Sequence, residues 1–129
     1  MTDPGKKRGA GRSASGPTVL VYVTAPSVRA AERLGAAVVE EGLAACANVL
    51  GPIRSIFRWH GKVERAREAA LILKTRKARV AALTRRLKAL HSYDVPCVVA
   101  LPIIGGNADF LAWIGAETRP RAVKRSAKK

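Results

Sequence analysis

His91 is the residue best equipped for metal chemistry in this chain of 129 residues. A neutral imidazole is a good ligand for copper or zinc. It stands where a helical pattern ends, so a second role is open to it: an imidazole there can interact with the last helical carbonyls and the helix dipole. The other histidine, His60, falls in the turn sequence His60-Gly61-Lys62 and reads as solvated. The two cysteines, Cys46 and Cys97, match no zinc spacing and form no Cys-x-x-Cys. Cys46 lies among small apolar residues and reads as core. Lys74, Asn48, Tyr93 and Asp94 are polar residues on or beside apolar strands. Buried polar groups need partners, so these four either line an intersubunit cleft that binds a small anion, with Lys74 as counter-charge, or pair structurally at a subunit contact. Trp59 is a further candidate for the cleft, although an indole offers only an N–H donor and usually packs, as Trp113 should. No Ser-His-Asp arrangement and no paired-carboxylate motif is present, which argues against an enzyme.

The elements that must position these side chains follow from periodicity. Thr18 to Thr24 is a β-branched apolar run and predicts a strand. Ser27 can cap a helix to about Glu41, with Val28, Ala31, Leu34 and Val38 on one stripe and Gly42 as its stop. Leu43 to about Trp59, bent near Gly51-Pro52, and Val63 to Thr75 predict a long hairpin. Lys77 to Leu90 repeats Val80, Leu83, Leu87 and Leu90 at helical steps. Cys97 to Ile103 predicts a fourth strand. Gly105-Gly106 ends it, and Asn107 can cap a short last helix. The order β-α-β-β-α-β is the split βαβ, ferredoxin-like pattern of an α+β fold with an antiparallel sheet and an extra C-terminal helix.

Three of the strands are apolar on consecutive residues, as in Val19-Leu20-Val21-Tyr22-Val23 and Ala69-Ala70-Leu71-Ile72-Leu73. Strand side chains alternate between faces, so both faces of the sheet are apolar there. Two helices cover one face. The other would be a large exposed apolar patch and is expected to meet another subunit.

The net charge is +15. Residues 1–16 contribute +3 and residues 119–129 contribute +6. Both segments lack apolar periodicity and are expected to be disordered basic arms around a domain at 17–118. Nucleic acid is a partner for such arms, but a solvated tail explains the charge more simply, and no aromatic residue interleaves with it. No apolar run reaches the roughly 18 residues of a membrane span. Residues 1–16 have no apolar core of a secretory signal, so a cytoplasmic location with reduced thiols is expected.

Five motifs in order resemble the CutA divalent-cation-tolerance family: Ala45-Cys46-Ala47-Asn48-Val49, Ser55-Ile56-Phe57-Arg58-Trp59-His60-Gly61-Lys62, Ile72-Leu73-Lys74-Thr75, His91-Ser92-Tyr93-Asp94-Val95-Pro96, and Leu101-Pro102-Ile103 with Gly106-Asn107 and Phe110-Leu111-Ala112-Trp113. The resemblance spans about residues 18 to 115. It implies a homotrimer with packed sheets and a hairpin that reaches a neighbour. It also implies a role in divalent metal tolerance, with copper or another divalent metal bound. The family trimer is similar to that of the PII signalling proteins, so a PII-like sensor of an anionic metabolite is the alternative. Copper-binding members can carry a cysteine before Thr-Ala-Pro and two adjacent histidines before Pro-Tyr. This chain has Val23 and Leu90-His91 there, with Ser92 in place of proline. One imidazole cannot hold copper. Cys97 stands where many members have glutamate, so His91 with Cys97 is the remaining candidate metal pair, and an imidazole with a thiolate would suit Cu(I) or Zn(II).

Overall fold

The structure, a computed structural model, describes residues 16–120. Strand β1 (Thr18–Ala25) leads into helix α1 (Val28–Glu40), then strands β2 (Cys46–Trp59) and β3 (Lys62–Arg76). A 3-10 turn (Lys77–Arg79) opens helix α2 (Val80–Leu90), followed by β4 (Val98–Pro102) and helix α3 (Ala108–Glu117). The four strands form one antiparallel sheet in the order β2-β3-β1-β4. This is the ferredoxin-like arrangement. The two basic arms expected at 1–16 and 119–129 lie outside the described residues, apart from Gly16, Arg119 and Pro120.

Local chemistry sets the element ends. Ser27 Oγ accepts from the Ala30 N–H at 3.0 Å and caps α1. Gly42 takes a φ of 74°, the left-handed conformation that lets the chain turn back under the helix end. Leu43 N–H then donates to the Val38 carbonyl at 2.9 Å, and Ala44 N–H to the same oxygen. Those capping bonds take Leu43 and Ala44 out of the sheet, which is why β2 starts at Cys46 and not at Leu43. Asn107 Oδ1 accepts from the Asp109 N–H at 2.9 Å and caps α3. The hairpin turns on His60 and Gly61, at φ 50° and 79°, as a two-residue turn between twisted strands requires.

Helices α1 and α2 cover one face of the sheet. Val19, Val21, Val23, Leu71 and Leu73 from the strands meet Ala31, Leu34, Val38, Leu83 and Leu87 from the helices, all buried. Gly35 lets α1 approach the sheet closely: a Cβ there would stand 3.0 Å from Ala47 Cβ and 3.2 Å from Leu71 Cδ1. The one buried strand hydroxyl on this side, Thr75 Oγ1, donates to the Leu43 carbonyl at 2.8 Å.

The second face carries Leu20, Tyr22, Ile72, Val99 and Leu101, by strand alternation. Helix α3 packs onto part of it, with Ile114 buried and the Phe110 ring 5.9 Å from Lys74 Nζ. That helix covers more than the sequence pattern anticipates, since only α1 and α2 were expected to shield the sheet. The cover is still incomplete: Val99 and Leu101 keep about half their surface, 50% and 48%.

Candidate functional site

A β-bulge builds the site. Between Leu50 and Ile53 the pairing of β2 with β3 slips by one residue at Gly51-Pro52. A one-residue slip moves every later side chain to the opposite face. Past the bulge, Ser55, Phe57 and Trp59 therefore stand opposite Ala66, Glu64 and Lys62, on the face that carries Glu68 and Ile72. The connector before β4 closes the other wall. The result is an open cleft of about 740 Å³ lined by Thr24, Ser55, Phe57, Trp59, Glu64, Ala66, Glu68, Tyr93, Asp94, Val95 and Cys97. Among the described residues three carboxylates line it, and no basic side chain does.

Tyr93 is the most constrained polar group of the cleft. Its hydroxyl donates to Glu68 Oε2 at 2.6 Å. Burial, then this hydrogen bond and the Glu68 charge, push the phenol up to about 12. The neutral phenol is the form the fold stabilises. That contribution is complete below the ordinary tyrosine value of 10.0 and is lost as the pH rises through about 12. A tyrosinate absorbance titration, with Tyr93→Phe subtracted, should show this late midpoint. Glu68→Gln should move it back toward 10, and a Tyr93 midpoint near 10 in the unmodified chain would contradict the half-buried bond.

The structure divides the sequence candidates. Trp59, Tyr93, Asp94 and Cys97 all line the cleft. Lys74 and Asn48 do not. Lys74 Nζ donates to Asn48 Oδ1 at 2.6 Å and lies 3.7 Å from Cys46 Sγ, beside α3. It is six residues along β3 from Glu68, roughly 20 Å at the rise of a strand. Within the single chain Lys74 therefore stands outside this cleft. Its pairing with Asn48 is the structural alternative.

His91 caps the end of α2, its N–H donating to the Leu87 carbonyl at 2.9 Å. The Tyr93 N–H donates to His91 Nδ1 at 3.1 Å, so Nδ1 carries the lone pair. Nε2 is then the protonated nitrogen and donates to the Thr24 carbonyl at 2.7 Å. No lone pair is left for a metal. His91 also opens onto a different concavity, with Ala30, Arg33, Leu34 and Ser92, whereas Cys97 faces the cleft. The geometry gives the His91–Cys97 metal pair no support. Among the described residues no group of three His, Cys, Asp or Glu side chains is placed to hold a metal ion. Glu64 and Glu68, which the motif reading passed over, are the acidic residues that matter most here. Their signal was the four-residue spacing on one strand, which puts both on one face.

The four-stranded sheet, its two covering helices and a third helix on the second face define a ferredoxin-like α+β domain with a cleft at the root of a long hairpin. Residues 19–117 match the family described as "CutA1 divalent ion tolerance protein", and the chain belongs to the CutA family. The chloroplastic protein CutA 1 of Oryza sativa is 48% identical over 103 residues, covering 80% of this chain and 58% of that relative. The divalent-cation tolerance protein CutA of Archaeoglobus fulgidus is 48% identical over 94 residues, covering 73% of this chain and 91% of its own length. Among solved structures, CutA1 from Oryza sativa superposes with a TM-score of 0.80 at 45% identity, covering 84% of this chain and 99% of that one. The CutA protein of Archaeoglobus fulgidus, described there as periplasmic, gives 0.76 at 44% identity, with 79% and 99% coverage. The chain thus spans little more than half the length of the plant relatives it matches.

These relatives overturn one expectation. Relatives at 45 to 48% identity are chloroplastic, and another is described as periplasmic. Membership of the family therefore does not imply the cytoplasm, and the lack of a signal in residues 1–16 cannot carry that assignment. No helix of the described residues is long and apolar enough to cross a membrane.

Proposed function

We propose that this chain is a non-catalytic binding protein in divalent-cation tolerance, that it works as a homotrimer, and that its cleft takes a cationic ligand. One observation carries the choice of ligand: Glu64, Glu68 and Asp94 line the cleft, and among the described residues no basic side chain balances them. Carboxylates on low-dielectric aromatic walls attract cations and repel anions. The PII-like reading, with an anionic metabolite, needs the opposite charge there. Copper and zinc are the cations to try first, because Cys97 adds a sulfur donor to the carboxylate oxygens. The described residues of one chain do not gather a full donor set, so the remaining ligands come from a neighbouring copy or from water.

Two features support assembly. The second face of the sheet keeps apolar side chains in solvent, Leu101 and Val99 among them. The hairpin has two chemically distinct faces: Phe57, Trp59, Glu64 and Glu68 with Lys62 at the tip on one, and Arg54, Arg58, Arg65 and Arg67 with Ile56 and Val63 on the other. A hairpin acidic on one side and basic on the other is complementary to copies of itself.

Equilibrium titration of Cu(II) and Zn(II) into the assembled protein tests the ligand. Glu64→Gln with Glu68→Gln should weaken binding about tenfold or more, equivalent to about 1.4 kcal/mol. His91→Ala should change it less than about twofold, since both its nitrogens are engaged. Unchanged affinity in the double variant would remove the cleft from the reading.

A further inference from the structure

Three guanidinium groups gather at the opposite end of β3 from the cleft. Arg76 is the last residue of β3, Arg79 precedes α2 as its N-cap, and Arg119 follows α3. Arg76 Nη2 donates to the Thr118 carbonyl at 3.0 Å, which ties the end of β3 to the end of α3. Arg76 Nε and Arg79 Nε are both buried, and neither has an acceptor among the described residues. A buried donor without an acceptor is unfavourable, and native structures rarely leave one.

The charge is unbalanced as well. Among the described residues the one ion pair is Arg86 with Glu41, elsewhere on the surface. Burial, followed by the neighbouring charges of Arg79 and Arg119, holds the Arg76 guanidinium below its ordinary value. The start of α2 adds to this. A helix N-terminus carries a partial positive charge and favours acidic residues, yet the first turn of α2 has none and Arg79 makes no side-chain capping bond. The preceding turn contributes Lys77 and Arg79. Two orphaned donors, three cations and an uncapped helix start therefore share one place, with no ion-pair partner among the described residues.

We propose that Arg76, Arg79 and Arg119 form a binding site for a phosphoryl oxyanion. A tetrahedral phosphate offers enough oxygens to accept from several guanidinium forks and from helix-terminal amides at once. A chain of phosphates offers more oxygens and more charge to the three guanidinium groups than one ion does, and therefore binds more tightly. The site is distinct from the cation cleft, since Arg76 lies eight residues along β3 from Glu68, about 25 Å at strand rise.

Calorimetric titration of the full chain with inorganic phosphate and with tripolyphosphate, against chloride at matched ionic strength, tests the site. Both should bind, tripolyphosphate at least about tenfold more tightly. Arg79→Gln and Arg119→Gln should each weaken both ligands about tenfold. Lys88→Gln, on the exposed side of α2, should leave them unchanged. Light scattering should give the same mass for all variants. If Arg79→Gln fails to fold, Arg119→Gln decides, because Arg119 is exposed. The proposal is overturned if phosphate gives no binding beyond chloride, or if neither arginine variant weakens it. It is equally overturned if tripolyphosphate alone binds and only removal of residues 121–129 abolishes that binding, since the tail would then be the whole site.

Discussion

Leu101→Glu should leave the protein monomeric, with light scattering reporting a mass near 13.8 kDa where the unmodified chain reports a multiple of it. Leu101 lies on the second face of the sheet, opposite Leu20 on β1, and keeps 48% of its surface in the isolated chain. Leu20, Tyr22 and Ile72 share that face, and α3 covers only part of it. If copies pack there, the substitution buries a carboxylate among apolar side chains with no cation to pair it. The effective penalty for such a charge is several kcal/mol, repeated in each copy. An interface that rests on apolar contact does not survive that. The chain's own core should be untouched, because α1 and α2 pack on the other face, so far-UV circular dichroism should hold while the mass falls. An unchanged mass would mean that this face is not the contact, and the homotrimer would lose its main physical support.

Leu71→Ala should cost about 2–5 kcal/mol, the range for deleting a fully buried leucine from a packed core. Leu71 has no exposed surface and sits centrally on β3, paired with Val23 on one side and Val49 on the other. Denaturant titration should show a lower midpoint with little change in slope. Ile56→Ala, at 62% exposure on the hairpin, should stay within about 0.5 kcal/mol in the isolated chain. Gly35 supplies an internal check. Leu71 Cδ1 lies 3.2 Å from where a Cβ at residue 35 would stand. Gly35→Ala should therefore destabilise the unmodified protein by about 1–3 kcal/mol through overpacking, and by less in the Leu71→Ala background, where the space has opened. Equal costs in the two backgrounds would mean that the two sites do not touch.

The element order, the caps and the family were legible in the residues themselves. Ser27, Gly42, Asn107 and His60-Gly61 mark ends and turns through bonds made within a few residues, so the sequence alone determines them. The doubly apolar strands also marked a second apolar face, of which α3 covers part. The site was not legible in the same way. His91 was readable as a helix-terminal residue. That its two nitrogens meet the Thr24 carbonyl and the Tyr93 N–H depends on a strand far away in sequence. Lys74 and Tyr93 are both polar residues beside apolar strands, yet one pairs with Asn48 near α3 and the other with Glu68 in the cleft. Above all, the bulge between Leu50 and Ile53 turns Ser55, Phe57 and Trp59 to the face of Glu64 and Glu68. Without that single extra residue they would point the other way and no acidic cleft would exist. Capping and periodicity are local, and a sequence can state them. Register is fixed by the sum of cross-strand packing over the whole hairpin, so only the tertiary structure decides which side chains share a face.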